Sequence, residues 1–171
     1  VNNGSFNKNY TYFINTHSDS NNPNKIKLFN KKGEEIRTIK DSNKLNETLQ
    51  EYELTKKEFF TFETSEGVKL NAWMMKPVNF NETKKYPVLM YVYGGPGSQT
   101  VTNSWGGSNY MWYQFLCQKG YIIVSIDNRG TGGRGAKFKK CTYKELGKLE
   151  TIDQIEGAKY LSNLNYVDPS R

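Results

Sequence analysis

Two nearly continuous apolar runs, Tyr86-Pro87-Val88-Leu89-Met90-Tyr91-Val92-Tyr93 and Tyr121-Ile122-Ile123-Val124-Ser125-Ile126, constrain this chain more than any other feature. A strand with one wet face alternates polar and apolar residues, whereas an unbroken run predicts a strand buried on both faces. The first run stops at Gly94-Gly95-Pro96-Gly97, a sharp loop, and a helical stretch over Asn109 to Lys119 with Gly120 as terminator follows it. Strand, helix and strand in this order predict a parallel pair in an α/β sheet.

Around this pair the pattern changes. Glu58 to Thr64 and Val68 to Met75 flank Ser65-Glu66-Gly67 and read as a hairpin. Further upstream, Tyr10 to Ile14, Lys25 to Phe29 and Glu35 to Ile39 are short β-like runs, separated by the polar loop Asn15 to Asn24 and a turn at Lys31-Lys32-Gly33. They predict an antiparallel meander with little apolar content, hence a piece of a larger all-β unit such as a propeller blade. Asp41 to Glu53 reads as a helical connector, so the chain divides at 1–53 and 54–171. The last element is expected to be a helix starting at Thr151, with Thr151 and Gln154 as a capping box and Ile152, Ile155, Ala158, Leu161 and Leu164 on its apolar face. A turn at Asp168-Pro169-Ser170-Arg171 follows, and a βαβ unit needs a further parallel strand to cover that face, so the chain is expected to stop inside a domain.

Composition narrows the chemistry. Of the 171 residues 36% are hydrophobic and 14% aromatic, enough for a folded core. No apolar run approaches the roughly 18 residues of a membrane span, and Val1-Asn2-Asn3-Gly4-Ser5 lacks the basic-then-apolar order of a signal peptide. The net charge of +7 is uneven: Arg129, Arg134, Lys137, Lys139, Lys140, Lys144 and Lys148 stand against Glu145 alone. This stretch has no recognition-helix pattern and only Phe138 and Tyr143 interleaved, so it reads as a solvated loop and helix face and no nucleic-acid partner is expected. Cys117 and Cys141 with the single His17 cannot supply a four-ligand zinc site, so no metal is expected. Cys117 lies in an apolar run and reads as a buried thiol, with one disulfide left open.

Gly130-Thr131-Gly132-Gly133-Arg134-Gly135 matches the dinucleotide pattern G-x-G-x-x-G, with Glu150 beyond it. That mechanism needs the glycines to open a helix directly and an acid at the end of the next strand. Ala136 to Cys141 shows no amphipathic order and Glu150 stands at a helix entrance, so a tight loop is expected and no cofactor. No G-x-S-x-G elbow occurs; Ser5-Phe6-Asn7-Lys8 fits S-x-x-K only in a polar stretch, and His17 reads as an ordinary surface residue. The residue whose position points to chemistry is Tyr93. It closes the first apolar run, where loops at the carboxyl ends of parallel strands build α/β active sites, and its hydroxyl could serve as an oxyanion donor; the alternative is a core Tyr beside a turn.

Three ordered motifs, Tyr86-Pro87-Val88-Leu89 leading to Tyr93-Gly94-Gly95-Pro96-Gly97-Ser98-Gln99, then Asp127-Asn128-Arg129-Gly130-Thr131-Gly132, then Asp153-Gln154-Ile155, together resemble the dipeptidyl peptidase IV branch of the prolyl oligopeptidase family of serine peptidases. The resemblance implies that residues 1–53 are the end of a β-propeller and 54–171 the N-terminal half of an α/β-hydrolase domain, cut before the nucleophile elbow. It implies that Tyr93 donates to the oxyanion, that the catalytic Ser, Asp and His lie beyond Arg171, and that the chain alone is inactive. The parent would release N-terminal dipeptides from peptide substrates, with Pro or Ala preferred at the second position, through an acyl-enzyme. Such enzymes are periplasmic or exported and often homodimeric. Gly94 stands where some relatives carry Ala. The rival readings are another aminopeptidase or oligopeptidase of the family, a nucleotide-binding oxidoreductase, and a non-catalytic binding module.

Overall fold

A computed structural model describes residues 1–107 and 109–171. Two compact units are present, Val1–Leu54 with Thr102–Met111, and Thr55–Val101 with Trp112–Arg171. Each contains one four-stranded sheet.

The first sheet is an antiparallel meander of β1 (Asn2–Phe6), β2 (Tyr12–His17), β3 (Lys25–Asn30) and β4 (Glu35–Lys40), paired in that order. It has one strand more than the three expected. Asn2–Phe6 carries no alternating apolar signal and is fully exposed, but its backbone pairs with β2 from Asn2↔His17 to Phe6↔Phe13. The second strand also runs on to His17, so the expected polar loop begins only after it. Register places Phe6 opposite Phe13 and Phe13 opposite Phe29, with ring centroids 5.0 and 5.2 Å apart. Such cross-strand rings stabilise a pleated face by contact. A short helix α1 (Asn43–Gln50) follows.

The second unit holds β5 (Lys57–Glu63), β6 (Lys69–Met75), β7 (Val88–Tyr91) and β8 (Ile122–Asp127), in the order β5-β6-β8-β7. The hairpin β5/β6 and the pair β6/β8 are antiparallel, while β7 and β8 are parallel, as the strand-helix-strand order requires. The crossover helix is α2 (Tyr110–Gln118). Leu70, Met75, Ile122, Ile123 and Val124 are wholly buried, and β8 is buried along its whole length.

The first apolar run departs from expectation. Only Val88–Tyr91 forms a strand, and it is half-buried because it lies at the end of the sheet. Tyr86 instead bridges in parallel to Val167, donating from its N–H to the Tyr166 carbonyl at 2.9 Å and accepting from the Asp168 N–H at 2.9 Å.

The last helix, α4 (Lys148–Ser162), starts three residues before the expected Thr151. Gly147 precedes it, and the Gly147 N–H donates to Glu150 Oε2 at 3.0 Å. Thr151 and Gln154 form no capping box; Gln154 Nε2 donates to the Ile126 carbonyl at 3.0 Å. Of the expected apolar face, Leu161 is buried and Leu164 packs against the core, but its isoleucines are not buried. Glu150, Asp153, Gly157 and Leu161 face inward while Ile155 is 49% exposed. The reason is close approach: a Cβ on Gly157 would meet Ile126 Cδ1 at 2.3 Å, so the helix lies on β8 through its glycine. A short helix α3 (Gly135–Lys140) completes the unit.

Candidate active site

Because β7 and β8 are parallel neighbours, with Tyr91 beside Ser125, the loops that leave their carboxyl ends emerge at one edge of the sheet. The loop after β7 carries Tyr93, which is 55% exposed. Gly94 turns the chain with a φ of 73°. The Tyr93 ring lies over Gly95, where a Cβ would come within 3.1 Å of Tyr93 Cε1 and 3.6 Å of its hydroxyl oxygen. Glycine at that position leaves room for the phenol; the hydroxyl is therefore presented at the surface of the loop and is not sunk in the core.

The two loops are tied together. The Gly97 N–H donates to the Gly130 carbonyl at 2.8 Å, and a Cβ on Gly132 would lie 3.1 Å from the Gly97 oxygen. At Gly133 a Cβ would strike the Gln99 amide at 2.8 Å. One expectation about this motif is corrected: the glycines do open directly into a helix, α3, whose six residues begin at Gly135. The Cβ sides of Gly130, Gly132 and Gly133 nonetheless face Thr142, Gly97 and Gln99, so these glycines serve close packing of protein on protein.

Buried polar groups fix the base of the site. Asp127, 2% exposed at the end of β8, accepts on Oδ1 from the Thr100 N–H at 2.7 Å, the Thr100 hydroxyl at 2.9 Å and the Val101 N–H at 3.2 Å. Ser125 Oγ donates to the Tyr91 carbonyl at 2.7 Å and lies 2.8 Å from Thr100 Oγ1. Trp73 Nε1 donates to the Thr100 carbonyl at 3.0 Å. None of these tethers follows from a local motif. The available signals are one serine inside an apolar run and an aspartate at its end.

Arg129 corrects the view of the basic stretch as wholly solvated. Its N–H donates to Asp153 Oδ2 at 2.6 Å, its Nε and Nη2 to Asp153 Oδ1 at 3.0 and 2.7 Å, and its Nη1 to Glu66 at 2.5 Å. Its hydrogen bonds to Asp153 first, then to Glu66, raise the guanidinium's pKa above its ordinary value. This pair locks the loop after β8 to α4. The rest of the stretch is largely exposed; Arg134 donates to the Lys69 carbonyl at 2.6 Å and lies over the Phe138 ring at 4.1 Å. Lys139, Lys140 and Lys144 line a cavity of about 620 Å³ whose wall includes Pro96 and Gly97.

The other sequence candidates have surroundings of their own. Ser5 is exposed in β1 and His17 exposed in β2, its Nδ1 3.0 Å from Asn2 Oδ1. Cys117 is a buried thiol that burial pushes up to about 12, Cys141 is exposed, and both are free. Among the described residues no cluster of three or more His, Cys, Asp or Glu is placed to hold a metal ion, and no helix is long and apolar enough to cross a membrane.

Residues 108–171 match the sequence profile of the prolyl oligopeptidase family. A solved structure, dipeptidyl peptidase 4 of Porphyromonas gingivalis, superposes with a TM-score of 0.94 at 42% identity, over 99% of this chain and 24% of that one. The chain belongs to the prolyl oligopeptidase family, in its dipeptidyl peptidase IV branch. A "Probable dipeptidyl peptidase 4" of Emericella nidulans is 41% identical over 134 residues, 78% of this chain and 17% of the relative. The dipeptidyl peptidase 4 of Trichophyton equinum is 40% identical over 134 residues, again 78% and 17%. The chain thus spans about a sixth to a quarter of the length of these family members. Within the family fold the meander is β-propeller sheet, and the mixed sheet with its helices is the N-terminal half of an α/β-hydrolase domain.

Proposed function

We propose that this chain is the part of a serine dipeptidyl peptidase that supplies the oxyanion donor. Residues 1–53 form the end of the propeller and 54–171 the first half of the peptidase domain, with the Ser, Asp and His of the triad outside this chain. The observation that carries the reading is Tyr93: a half-exposed phenol at the carboxyl end of a parallel strand, laid over a glycine and set in a loop tethered on both sides.

In the reaction, the serine attacks the carbonyl of the second residue of the substrate, its proton passing to the histidine. Negative charge collects on the carbonyl oxygen, where the Tyr93 hydroxyl donates a hydrogen bond together with a backbone N–H beside the nucleophile. Collapse of the tetrahedral intermediate expels the amine of the shortened peptide and leaves the dipeptide as an ester on the serine; water then releases it. Pro or Ala is the preferred second residue. Export to the periplasm or beyond and a homodimeric parent belong to the same reading; cell fractionation and sedimentation of the full-length protein test them.

The decisive experiment uses the full-length enzyme with dipeptidyl anilides ending in Pro, and the same anilides with the amino terminus acetylated. Cleavage that requires the free amine supports a dipeptidyl exopeptidase; equal cleavage of the blocked peptide would turn the reading to an oligopeptidase of the same family. Tyr93→Phe keeps the ring over Gly95 and should lower kcat by about 100- to 1,000-fold, the loss of one oxyanion donor, with little change in KM. A variant within about threefold of wild type, far short of the ~1.4 kcal/mol of a tenfold effect, would remove Tyr93 from the mechanism.

A further inference from the structure

Tyr93 can stabilise an oxyanion only if its loop returns to the same place at every turnover, and the loop from Val92 to Val101 has no secondary structure of its own. What fixes it is the end of β8. At the start of the loop, Ser125 Oγ holds the Tyr91 carbonyl, two residues before Tyr93. At its far end a single oxygen, Asp127 Oδ1, gathers the Thr100 N–H, the Thr100 hydroxyl and the Val101 N–H. The Thr100 and Ser125 hydroxyl oxygens lie 2.8 Å apart, and Ser125 and Asp127, two residues apart, stand on one face of β8, so the two anchors are neighbours. Ser125 is wholly buried and Asp127 nearly so, and both stand on the strand that is buried from end to end.

The geometry points to Asp127 as a positioning residue for the oxyanion donor: through Thr100 and Val101 it holds the loop that presents Tyr93. This inference rests on the catalytic reading of Tyr93. Asp127 touches neither substrate nor reacting atoms in that reading and acts only through the loop. A carboxylate suits the task because hydrogen bonds to an ionised acceptor are shorter and stronger than those to a neutral one. Loss of this anchor leaves the distal end of the loop with the Trp73 Nε1 bond to the Thr100 carbonyl but without its three bonds to Asp127, and a shift of about 1 Å in a catalytic group costs about 100-fold in rate. The effect belongs to kcat, since the oxyanion contact strengthens only as charge develops.

The test is a double-mutant cycle in the full-length enzyme, read as kcat and KM on a Pro-containing dipeptidyl anilide. Asp127→Ala in the wild-type background is expected to lower kcat by about 100-fold and to leave KM nearly unchanged. In the Tyr93→Phe background, where no hydroxyl remains to be misplaced, the same substitution is expected to cost less than about threefold, because residues acting as one unit are not additive. Asp127→Asn retains one acceptor oxygen for all three donors and is expected to recover kcat to within about tenfold of wild type. Should Asp127→Ala fail to fold, Thr100→Val, which removes only the hydroxyl link, enters the same cycle with an expected loss of about tenfold.

Equal losses in both backgrounds would show that Asp127 supports the fold or some other group, and would overturn the inference. So would wild-type kcat in Asp127→Ala. A Tyr93→Phe enzyme with unchanged kcat would bring down the catalytic reading itself, and the positioning role with it. These outcomes are distinguishable because the first two leave the Tyr93→Phe defect in place.

Discussion

The two four-stranded sheets reach similar geometry by different physical means. In the meander, no strand residue has a buried apolar side chain; what holds β1 to β4 is the backbone ladder, the Phe6–Phe13–Phe29 contacts and polar pairs. In the mixed sheet, β6 and β8 bury nearly every side chain, aliphatic and polar alike. Burial of apolar area is the largest stabilising term in folding, so within these 171 residues it is the second sheet that is held by its own core. The difference shows where chemistry can be mounted. The loop of Tyr93 is anchored to β8, the strand of its unit that is buried along its whole length.

The sharpest way to strain the comparison is to break the buried charge pair of the second unit. Asp153→Ala would leave the Arg129 guanidinium, 11% exposed in its side chain, without its main partner. Removing one member of such a pair costs about 3–5 kcal/mol. Hydrogen exchange on the full-length protein should show lost protection in peptides from β8 and α4, with β2 and β3 unchanged. Parallel loss in both sheets would contradict a mechanical distinction between them. Next in size is the core itself. Leu70→Ala, at a position already wholly buried within this chain, should destabilise by about 2–5 kcal/mol.

The same contrast explains what could be seen in the sequence. The parallel pair, the crossover helix and the hairpin were legible because each carries its own periodicity or its own turn residues. Asn2–Phe6 carries neither, and it is a strand only because β2 offers it a partner. The buried face of α4 is only half legible, for the opposite reason: Leu161 and Leu164 turn to the core as their spacing predicts, but Ile155 looks like core and is not, because Asp153 must face Arg129 and Gly157 must meet Ile126, demands that come from distant residues. At the site, the position of Tyr93 at the end of an apolar run was visible. The tether from Asp127 to Thr100, 27 residues apart, was not, because a hydrogen bond between a strand end and a distant loop leaves no pattern along the chain.

Ring contacts in the meander should matter less than the core. Phe13 is stacked on Phe29 at 12° between ring planes and packs on Phe6 from the other side. Phe13→Leu keeps apolar bulk but removes the aromatic geometry, and should cost about 0.5–1.5 kcal/mol. Faster exchange confined to β1, β2 and β3 is the expected signature. If the effect spread to β6 and β8, the two sheets would be a single cooperative unit and the contrast drawn above would fail.

The smallest effect is expected from an ion pair of the meander, which joins opposite charges as Arg129 and Asp153 do but lies at the surface. Lys27 Nζ and Glu35 Oε2 meet at 2.7 Å across β3 and β4, with side chains 36% and 39% exposed. The hydrogen bond from Lys27, then that from Thr38, holds the Glu35 carboxyl below its usual range. A carboxylate depressed in the folded state contributes stability above its unfolded pKa, about 4.3, and loses that contribution as pH falls through the lower folded value. Between pH 7 and 6 Glu35 therefore stays ionised in both states, and exchange in β3 and β4, corrected for its intrinsic pH dependence, should not change on its account. Solvent screens the pair and two long side chains must be ordered to make it, so Glu35→Gln should leave protection of β3 and β4 almost unaltered. A loss comparable to that of Asp153→Ala would mean that the exposed pair bears as much of its sheet as the buried pair bears of the other, and burial would then not be what separates the two regions.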